Sequence, residues 1–357
     1  MLSSKRTAKI LFAISTVLGY TFLIAKNGGI AMKLNIRELR DRASGLTAQN
    51  REPLRKLLLI YCGVIAVLTL GMPALDLFLS DRISTTGGLA GMGLRTVLET
   101  IREILSLVNQ FFGYFWSAGF VIAIMAMVLG REPQTRDLTG GFRRFFRVLG
   151  HIAFEFLFVT ALMLAAANLA AVIFRMSPQG GPLVQELTAI TSDPNLLTAE
   201  GMLNVDLIPM DLLAAITLPM LTITMVIFLP VYIWLSYGFR LSLYLLLDGT
   251  APSAFQARFL SLRLMRGHKW SMLKLDLSFW WYYLLVTVIT AVGYLDVILS
   301  LAGIPLPMDE TVMFFGTIAV DCVLITALSL WKKAQVETSY VLAYEAIAHP
   351  EPVEEPA

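Results

Sequence analysis

Charged residues, histidine and cysteine are all scarce in this sequence. Only 15% of the 357 residues are charged, whereas soluble domains carry about 25%. The two cysteines, Cys62 and Cys322, each lie within an apolar run, so they predict neither a disulfide framework nor a zinc site. No His-Glu-x-x-His or Gly-x-Ser-x-Gly motif occurs, and the net charge of +2 gives no argument for nucleic acid. We expect no metal, no cofactor and no enzymatic activity.

Long apolar runs account for most of the chain, which is 57% hydrophobic. About 20 apolar residues in a helix cross the hydrocarbon core of a bilayer, and lipid leaves only helices and closed barrels with satisfied backbone groups. The runs are apolar on all sides, without the alternation of strands, which favours helices. We predict an all-α, polytopic transmembrane bundle with six spans, at 57–79, 108–129, 149–174, 212–238, 278–302 and 311–331.

The segments between these spans alternate in their content of Lys and Arg. Counted from Met32, the segment before the first span and those after the second, fourth and sixth hold twenty; those after the first, third and fifth hold four. Basic loops stay in the cytoplasm. We expect a multi-pass protein of the bacterial cytoplasmic membrane, with both termini in the cytoplasm if the chain starts at Met32. Residues 32–347 would form the membrane domain, and 348–357 a disordered acidic tail.

Residues 1–31 do not fit this orientation. The apolar stretch 10–25 follows three Lys and Arg residues, which a seventh span would place outside. A cleaved signal peptide would place the next basic segment outside as well. Gly28 and Gly29 can be encoded by purine-rich bases that resemble a ribosome-binding site just before Met32. We interpret 1–31 as upstream sequence included through an incorrectly assigned start; an extra hydrophobic helix or interfacial anchor is the alternative.

Basic and aromatic residues precede the first, third and fifth spans. The segments are REPLRKLLLIY (51–61), FRRFFRVLGHIAF (142–154) and RLMRGHKWSMLKLDLSF (263–279). Parallel internal repeats are common in membrane proteins. We therefore infer three parallel two-helix hairpins with interfacial helices, at 32–129, 130–247 and 248–333. Asn35, followed three residues later by Glu38, is typical of a helix start and predicts the first interfacial helix.

Charged residues inside the predicted spans are the main functional candidates, because such groups are costly in lipid. They are Glu155, Arg240, Asp296 and Asp321. In one interpretation the three acids line a path for protons, cations or a small solute. In the other, each forms a single polar contact between helices. The acids fall at different depths, which favours the second interpretation, although two prolines in the fourth span would allow a kink and a small cavity.

The stretch 263–285 combines basic residues with three tryptophans just before the fifth span. Apolar residues interrupt the basic ones, which argues against a nucleic-acid surface. Gly267 predicts the end of an interfacial helix, and Trp270 and Trp281 are typical of the headgroup region. We interpret the stretch as a hinge between that helix and the fifth span. Asp276 has no evident role; a neighbouring lysine or loop backbone would bind it.

Three motifs follow one another along residues 32–347. They are NIRELRDRASGLTAQN after Met32; the residues Met265, Gly267, Trp270, Leu275, Leu277, Ser278, Phe279 and Trp281; and the pair Tyr344 and Glu345. Their order resembles the bacterial membrane family catalogued as domain of unknown function 975. The chain is also distantly similar to the membrane region that accompanies some glycerophosphodiester phosphodiesterases, but the similarity does not extend to their catalytic domain. The resemblance implies a multi-pass membrane fold and no particular activity.

These features together predict a non-enzymatic accessory or scaffold protein. Basic residues next to a span gain about 1 kcal/mol each from an anionic leaflet, so we expect contact with anionic lipid headgroups. A membrane-protein partner is a further expectation, and nucleic acid is not. The alternative is a small-solute or ion transporter that uses the intramembrane acids.

Overall fold

The computed structural model describes residues 34–85, 91–191, 209–295, 299 and 310–350, and the regular structure in these ranges is helical. Five helices are long and apolar enough to cross a membrane, or six when one bent pair counts as a single span. Each of the six predicted spans overlaps one of them. The predicted all-α bundle is therefore confirmed, whereas the interpretations of residues 1–31, Asp296 and the tail after Pro350 lie outside the described residues.

The helices are numbered in chain order. They are α1 Ile36–Gln49, α2 Arg51–Thr85, α3 Gly91–Val128, α4 Thr135–Leu138, α5 Gly140–Arg143, α6 Phe145–Met176, α7 Gly180–Thr191, α8 Met210–Phe239, α9 Ser242–Asp248, α10 Ala254–Leu264, α11 Lys269–Ser278, α12 Trp280–Gly293, α13 Glu310–Leu328, the π-helix Ser329–Lys333, and α14 Ala334–Ala348.

Side-chain caps begin the short helices α1 and α10, as the sequence predicts for α1. Asn35 accepts a hydrogen bond from the backbone N–H of Glu38 at 3.4 Å, and Ser253 accepts one from that of Gln256 at 3.3 Å. Each bond satisfies a donor that the first turn of a helix leaves free. Gly267 has a φ of 92°, a left-handed conformation that favours glycine, and α10 ends just before it, as predicted.

A second break separates α11 from α12, whose axes differ by 64°. It lies at Phe279, so the chain changes direction there as well as at the predicted hinge, Gly267. The Phe279 N–H bonds to the Asp276 carbonyl, three residues back, and the Ser278 hydroxyl bonds to the Leu275 carbonyl at 2.7 Å. These bonds compete with the regular helical pattern. The fifth span is therefore a broken helix, which its apolar composition did not predict.

Consecutive spans pack against each other as the predicted hairpins require: α2 with α3, α6 with α8, and α12 with α13. In each pair, the start of the first helix meets the end of the return segment. The contacts are the Trp116 Nε1 atom with the Tyr61 carbonyl, the ring of Phe154 with that of Phe239, and the ring of Trp281 with that of Trp331.

The three hairpins are joined at this same end. Lys333, after α13, donates to the hydroxyl of Tyr61 in α2 at 3.1 Å. Tyr237, near the end of α8, donates to Asp276 in α11 at 2.6 Å. Because these contacts link the starts of the outgoing helices with the ends of the returning ones, the hairpins run parallel. We call this the basic end of the bundle, since the Lys- and Arg-rich segments lie there.

The tightly packed core also lies at the basic end. Helix α14 packs against α1 and α3 and contributes side chains with no exposed surface, including Val341 and Tyr344. The spans themselves leave large apolar side chains such as Val67, Phe156 and Val323 exposed. That pattern suits helices that face lipid on one side and a compact helical assembly outside the hydrocarbon core.

Candidate functional site

Asp276, near the end of α11, lies at the centre of a hydrogen-bonded group at the basic end. The Tyr237 hydroxyl donates to it at 2.6 Å and the Arg240 Nη2 atom at 3.3 Å. The Tyr340 hydroxyl also donates to Asp276, and the Tyr283 hydroxyl bonds to that of Tyr340. We call these five residues the Asp276 cluster. Three donors, one of them cationic, compensate a carboxylate whose side chain is only 18% exposed.

Arg240 carries the positive charge of this cluster. It follows the last residue of α8, where the helix dipole favours a cation. Its guanidinium carbon lies 4.6 Å from the centroid of the Tyr340 ring, a cation–π contact. Since Asp276 lies in α11 and Tyr340 in α14, Arg240 joins three helices. The predicted intramembrane candidate Arg240 therefore makes a contact between helices.

The partners suggested for Asp276 from the sequence are wrong. Lys269 donates instead to the carbonyl of Trp234 at 3.1 Å, and Lys274 lies near the ring of Trp270. The partners that do bind Asp276 come from α8 and α14, which are distant in sequence. The residues next to Asp276 in the sequence therefore could not predict these partners.

Lys333 and Glu337 extend the polar contacts towards the first hairpin. The Lys333 Nζ atom donates to the Tyr61 hydroxyl at 3.1 Å and lies 4.5 Å from the centroid of that ring. The Tyr61 hydroxyl is 3.0 Å from the Ser117 hydroxyl. The charges of Lys333 and Arg240 both act on Glu337, one turn further along the helix. Polar side chains thus run from the first hairpin to the third.

The π-helix Ser329–Lys333 ends at Lys333, the residue that binds Tyr61. A π-helical turn inserts an extra residue into an α-helix and is frequent at functional sites. Its last two residues point to different surroundings: Lys332 binds Gln335 at 2.8 Å and lies near the ring of Trp281, whereas Lys333 reaches Tyr61. The irregular turn therefore lies next to the broken fifth span.

Sequence reasoning missed this group, although one signal was present. Lys333, Glu337, Tyr340 and Tyr344 are spaced by four, three and four residues, which places them on one face of a helix. A polar stripe of that kind after an apolar span indicates contact with other polar groups.

Glu155, whose side chain is 50% exposed, forms an ion pair. The Arg258 Nη2 atom donates to its carboxylate at 3.1 Å, and the His151 Nε2 atom lies 3.6 Å from it. The Arg258 side chain is 5% exposed and lies between the rings of Phe154 and Phe239. Burial lowers the pKa of Arg258, and the neighbouring carboxylate opposes that shift. Glu155 thus ties α6 to α10.

Asp321 lies in the third hairpin, against α12. A Cβ added at Gly293 would lie 3.2 Å from the Asp321 Cβ, so the two helices approach closely there. The Asp321 Oδ1 atom is buried and has no hydrogen-bond partner among the described residues. No described contact joins Asp321 to Glu155, and Asp296 lies outside the described residues. Within the described residues, the structure therefore does not bring Glu155 and Asp321 together.

The residues of the family-like motifs have several different surroundings. Met265 and Tyr344 are fully buried, and the Tyr344 hydroxyl donates to Asp248. The Ser278 hydroxyl bonds to a carbonyl of its own helix, and the Glu345 carbonyl accepts the His349 N–H. Trp281 packs against Trp331, whereas Trp270 is exposed. No group of three His, Cys, Asp or Glu within the described ranges could hold a metal ion.

Exposed basic and aromatic side chains from two stretches, 143–147 and 255–270, lie at the basic end. Phe146 is 85% exposed between Arg143 and Arg147, and neither arginine contacts a carboxylate in the part of the chain that the structure describes. Further exposed members are Phe255, Phe259, Arg263, Arg266 and Trp270. We call these eight residues the basic–aromatic belt. Their composition matches the interface between water and lipid headgroups.

No known protein family, curated protein or solved structure matches the chain. The resemblance to domain of unknown function 975, and the more distant one to the membrane region of glycerophosphodiester phosphodiesterases, therefore stay predictions.

Proposed function

We propose that this protein is a non-enzymatic accessory or scaffold protein of the bacterial cytoplasmic membrane that binds anionic lipid through the basic–aromatic belt. The observation that carries the proposal is the exposed Phe146 between Arg143 and Arg147, two arginines without a carboxylate partner in the described ranges. An aromatic ring at the headgroup level with cations beside it suits a leaflet rich in anionic lipid. The basic end, with the belt, then faces the cytoplasm.

The interior of the protein supports a scaffold role. Asp276 and Glu155 are each bound by side chains from other helices, so their charges are compensated within the bundle. Such contacts hold helices together. The exposed apolar side chains of the spans leave surfaces that lipid or a membrane-protein partner covers.

Lipid selection by the belt provides the test. In vesicles that mix phosphatidylcholine with brominated phosphatidylglycerol, tryptophan quenching should show enrichment of the anionic lipid around the purified protein. The Arg143→Gln/Arg147→Gln variant should lose this preference by roughly 10- to 30-fold, since each arginine contributes about 1 kcal/mol. Arg95→Gln is the matched control, because Arg95 is paired with Glu99 at the opposite end. Equal quenching by brominated phosphatidylcholine in the unsubstituted protein would rule out lipid selection.

A small-solute or ion transporter is the second candidate, favoured by one observation. The Asp276 cluster gathers its groups beside two irregular helices, the broken pair α11 and α12 and the π-helix, and transporter sites are built on interrupted helices. The two candidates differ in what the Asp276 carboxylate does. A transporter would lose solute flux without it and keep its fold, whereas a scaffold would lose stability.

A further inference from the structure

A cavity of about 270 Å³ lies between the first, second and sixth spans, far from the Asp276 cluster. It is lined by the later part of α2, from Met72 to Leu79, by the early part of α3, from Arg102 to Asn109, and by Phe314 near the start of α13. Since the start of α2 and the ends of α3 and α13 lie at the basic end, the cavity lies towards the opposite end of the bundle.

Proline helps to explain why there is space at this position. Pro73 lies in the interior of α2 and lines the cavity. A proline inside a helix removes one backbone donor, and its ring disturbs the regular packing of the preceding turn.

The two walls of the cavity differ in chemistry. On α3, Arg102, Ser106 and Asn109 are spaced by four and three residues, so they lie along one face of the helix. Facing them are apolar side chains of α2 and α13, among them Leu79 and Phe314. These three polar side chains thus face a cavity whose other wall is apolar.

We propose that this cavity binds the head-proximal part of one anionic phospholipid from the adjoining leaflet. Arg102 receives the phosphate. Ser106 and Asn109, about 6 Å and about 10.5 Å further along the helix axis, face the glycerol and ester oxygens. The acyl chains leave past Met72 and Pro73, the cavity-lining residues of α2 that lie deepest in the bundle, into the bilayer. The order of polar groups on α3 therefore follows the order of polar groups in a phospholipid, from phosphate to ester to hydrocarbon.

Size and charge both fit this ligand. Pockets that enclose drug-sized ligands have volumes of roughly 300–1,000 Å³. A cavity of about 270 Å³ therefore holds the phosphate and glycerol region but not a whole lipid. Arg102 also interacts with a neighbour in the protein, and an arginine has five N–H donors, so a phosphate can share its guanidinium. A soluble phosphate would gain nothing from Leu79 or Phe314 and would lose hydration beside them.

Native mass spectrometry of the purified full-length protein tests the proposal. After exchange into delipidating detergent and titration with phosphatidylglycerol, the protein should retain one lipid molecule. Arg102→Gln should weaken this binding about tenfold, the change expected for one lost charged hydrogen bond. Leu105→Trp, which fills the cavity without changing its charge, should weaken it as well, because Leu105 lines the cavity. Arg102→Lys should keep most of the binding.

The controls separate this site from non-specific lipid adhesion and from a site for free phosphate. Arg95→Gln removes an exposed arginine of the same helix that is not in the cavity wall, so it should leave the retained lipid unchanged. The proposal is wrong if phosphatidylcholine is retained as well as phosphatidylglycerol, if millimolar inorganic phosphate displaces the lipid, or if Arg102→Gln and Leu105→Trp retain it fully. Loss of the belt's lipid selection in Arg143→Gln/Arg147→Gln leaves this site intact, so the two proposals fail separately.

Discussion

At the scale of single residues, two acidic side chains of the bundle are bound by residues of other helices. Glu155 is paired with Arg258, and Asp276 accepts hydrogen bonds from Arg240 and two tyrosines. The sequence indicated that such residues matter, because charge in a span is costly, but it gave no partners. Those partners lie 36 to 103 residues away along the chain. Only the packing of the helices decides which of them meet.

Loss of the Asp276 carboxylate should destabilise the protein. Asp276→Asn leaves Arg240 and the tyrosine donors incompletely satisfied, and we expect a loss of about 1–3 kcal/mol in the free energy of unfolding. Tyr237→Phe should cost about 1 kcal/mol. Thermal unfolding in detergent, followed by intrinsic fluorescence, measures both, with the exposed Asp41→Asn as a control near zero. An Asp276→Asn protein that unfolds like the original, yet loses solute flux in vesicles, would favour the transporter.

At the scale of helices, most starts and stops follow from local chemistry. Asn35 caps α1, and Gly267 follows the end of α10, as the sequence predicted. The break at Phe279 and the π-helix before α14 were not predicted. The apolar pattern continues through both positions, so composition gives no sign of them. They arise where the chain must turn its polar side chains towards Asp276 and Tyr61.

The left-handed conformation at Gly267 gives a prediction for this hinge. Gly267→Ala should destabilise the protein by about 1–2 kcal/mol, because a Cβ is strained at a φ of 92°. Gly45→Ala is the matched control: Gly45 lies inside α1, a Cβ there meets nothing within 4 Å, and alanine should stabilise the helix by about 0.5–1 kcal/mol. Thermal unfolding of both variants provides the measurement. Equal effects of the two substitutions would contradict the role of Gly267.

At the scale of the whole molecule, charge and packing are concentrated at the same end. The basic segments, the Asp276 cluster and the buried helix α14 lie together, while the spans expose apolar side chains along their length. The proposed orientation places this end in the cytoplasm, because Lys- and Arg-rich loops are retained there.

Cysteine labelling tests this orientation. In a background with Cys62 and Cys322 replaced by alanine, single cysteines are placed at the exposed positions Thr139, at the basic end, and Gln179, beyond the end of α6. A membrane-impermeant thiol reagent applied to intact cells, with the outer membrane permeabilised where one is present, should label Gln179→Cys. It should label Thr139→Cys only after lysis. The reverse pattern would overturn the proposed orientation.

The sequence by itself determined the helical class, the approximate spans, the hairpin order and the alternation of basic loops. These follow from the length and polarity of continuous segments, which lipid and helix geometry constrain directly. Tertiary structure decided the rest: the partner of Arg240, the role of Glu155, the break at Phe279 and the cavity beside Arg102. Each depends on which faces of distant helices come together, and a single apolar helix carries little information about its neighbours.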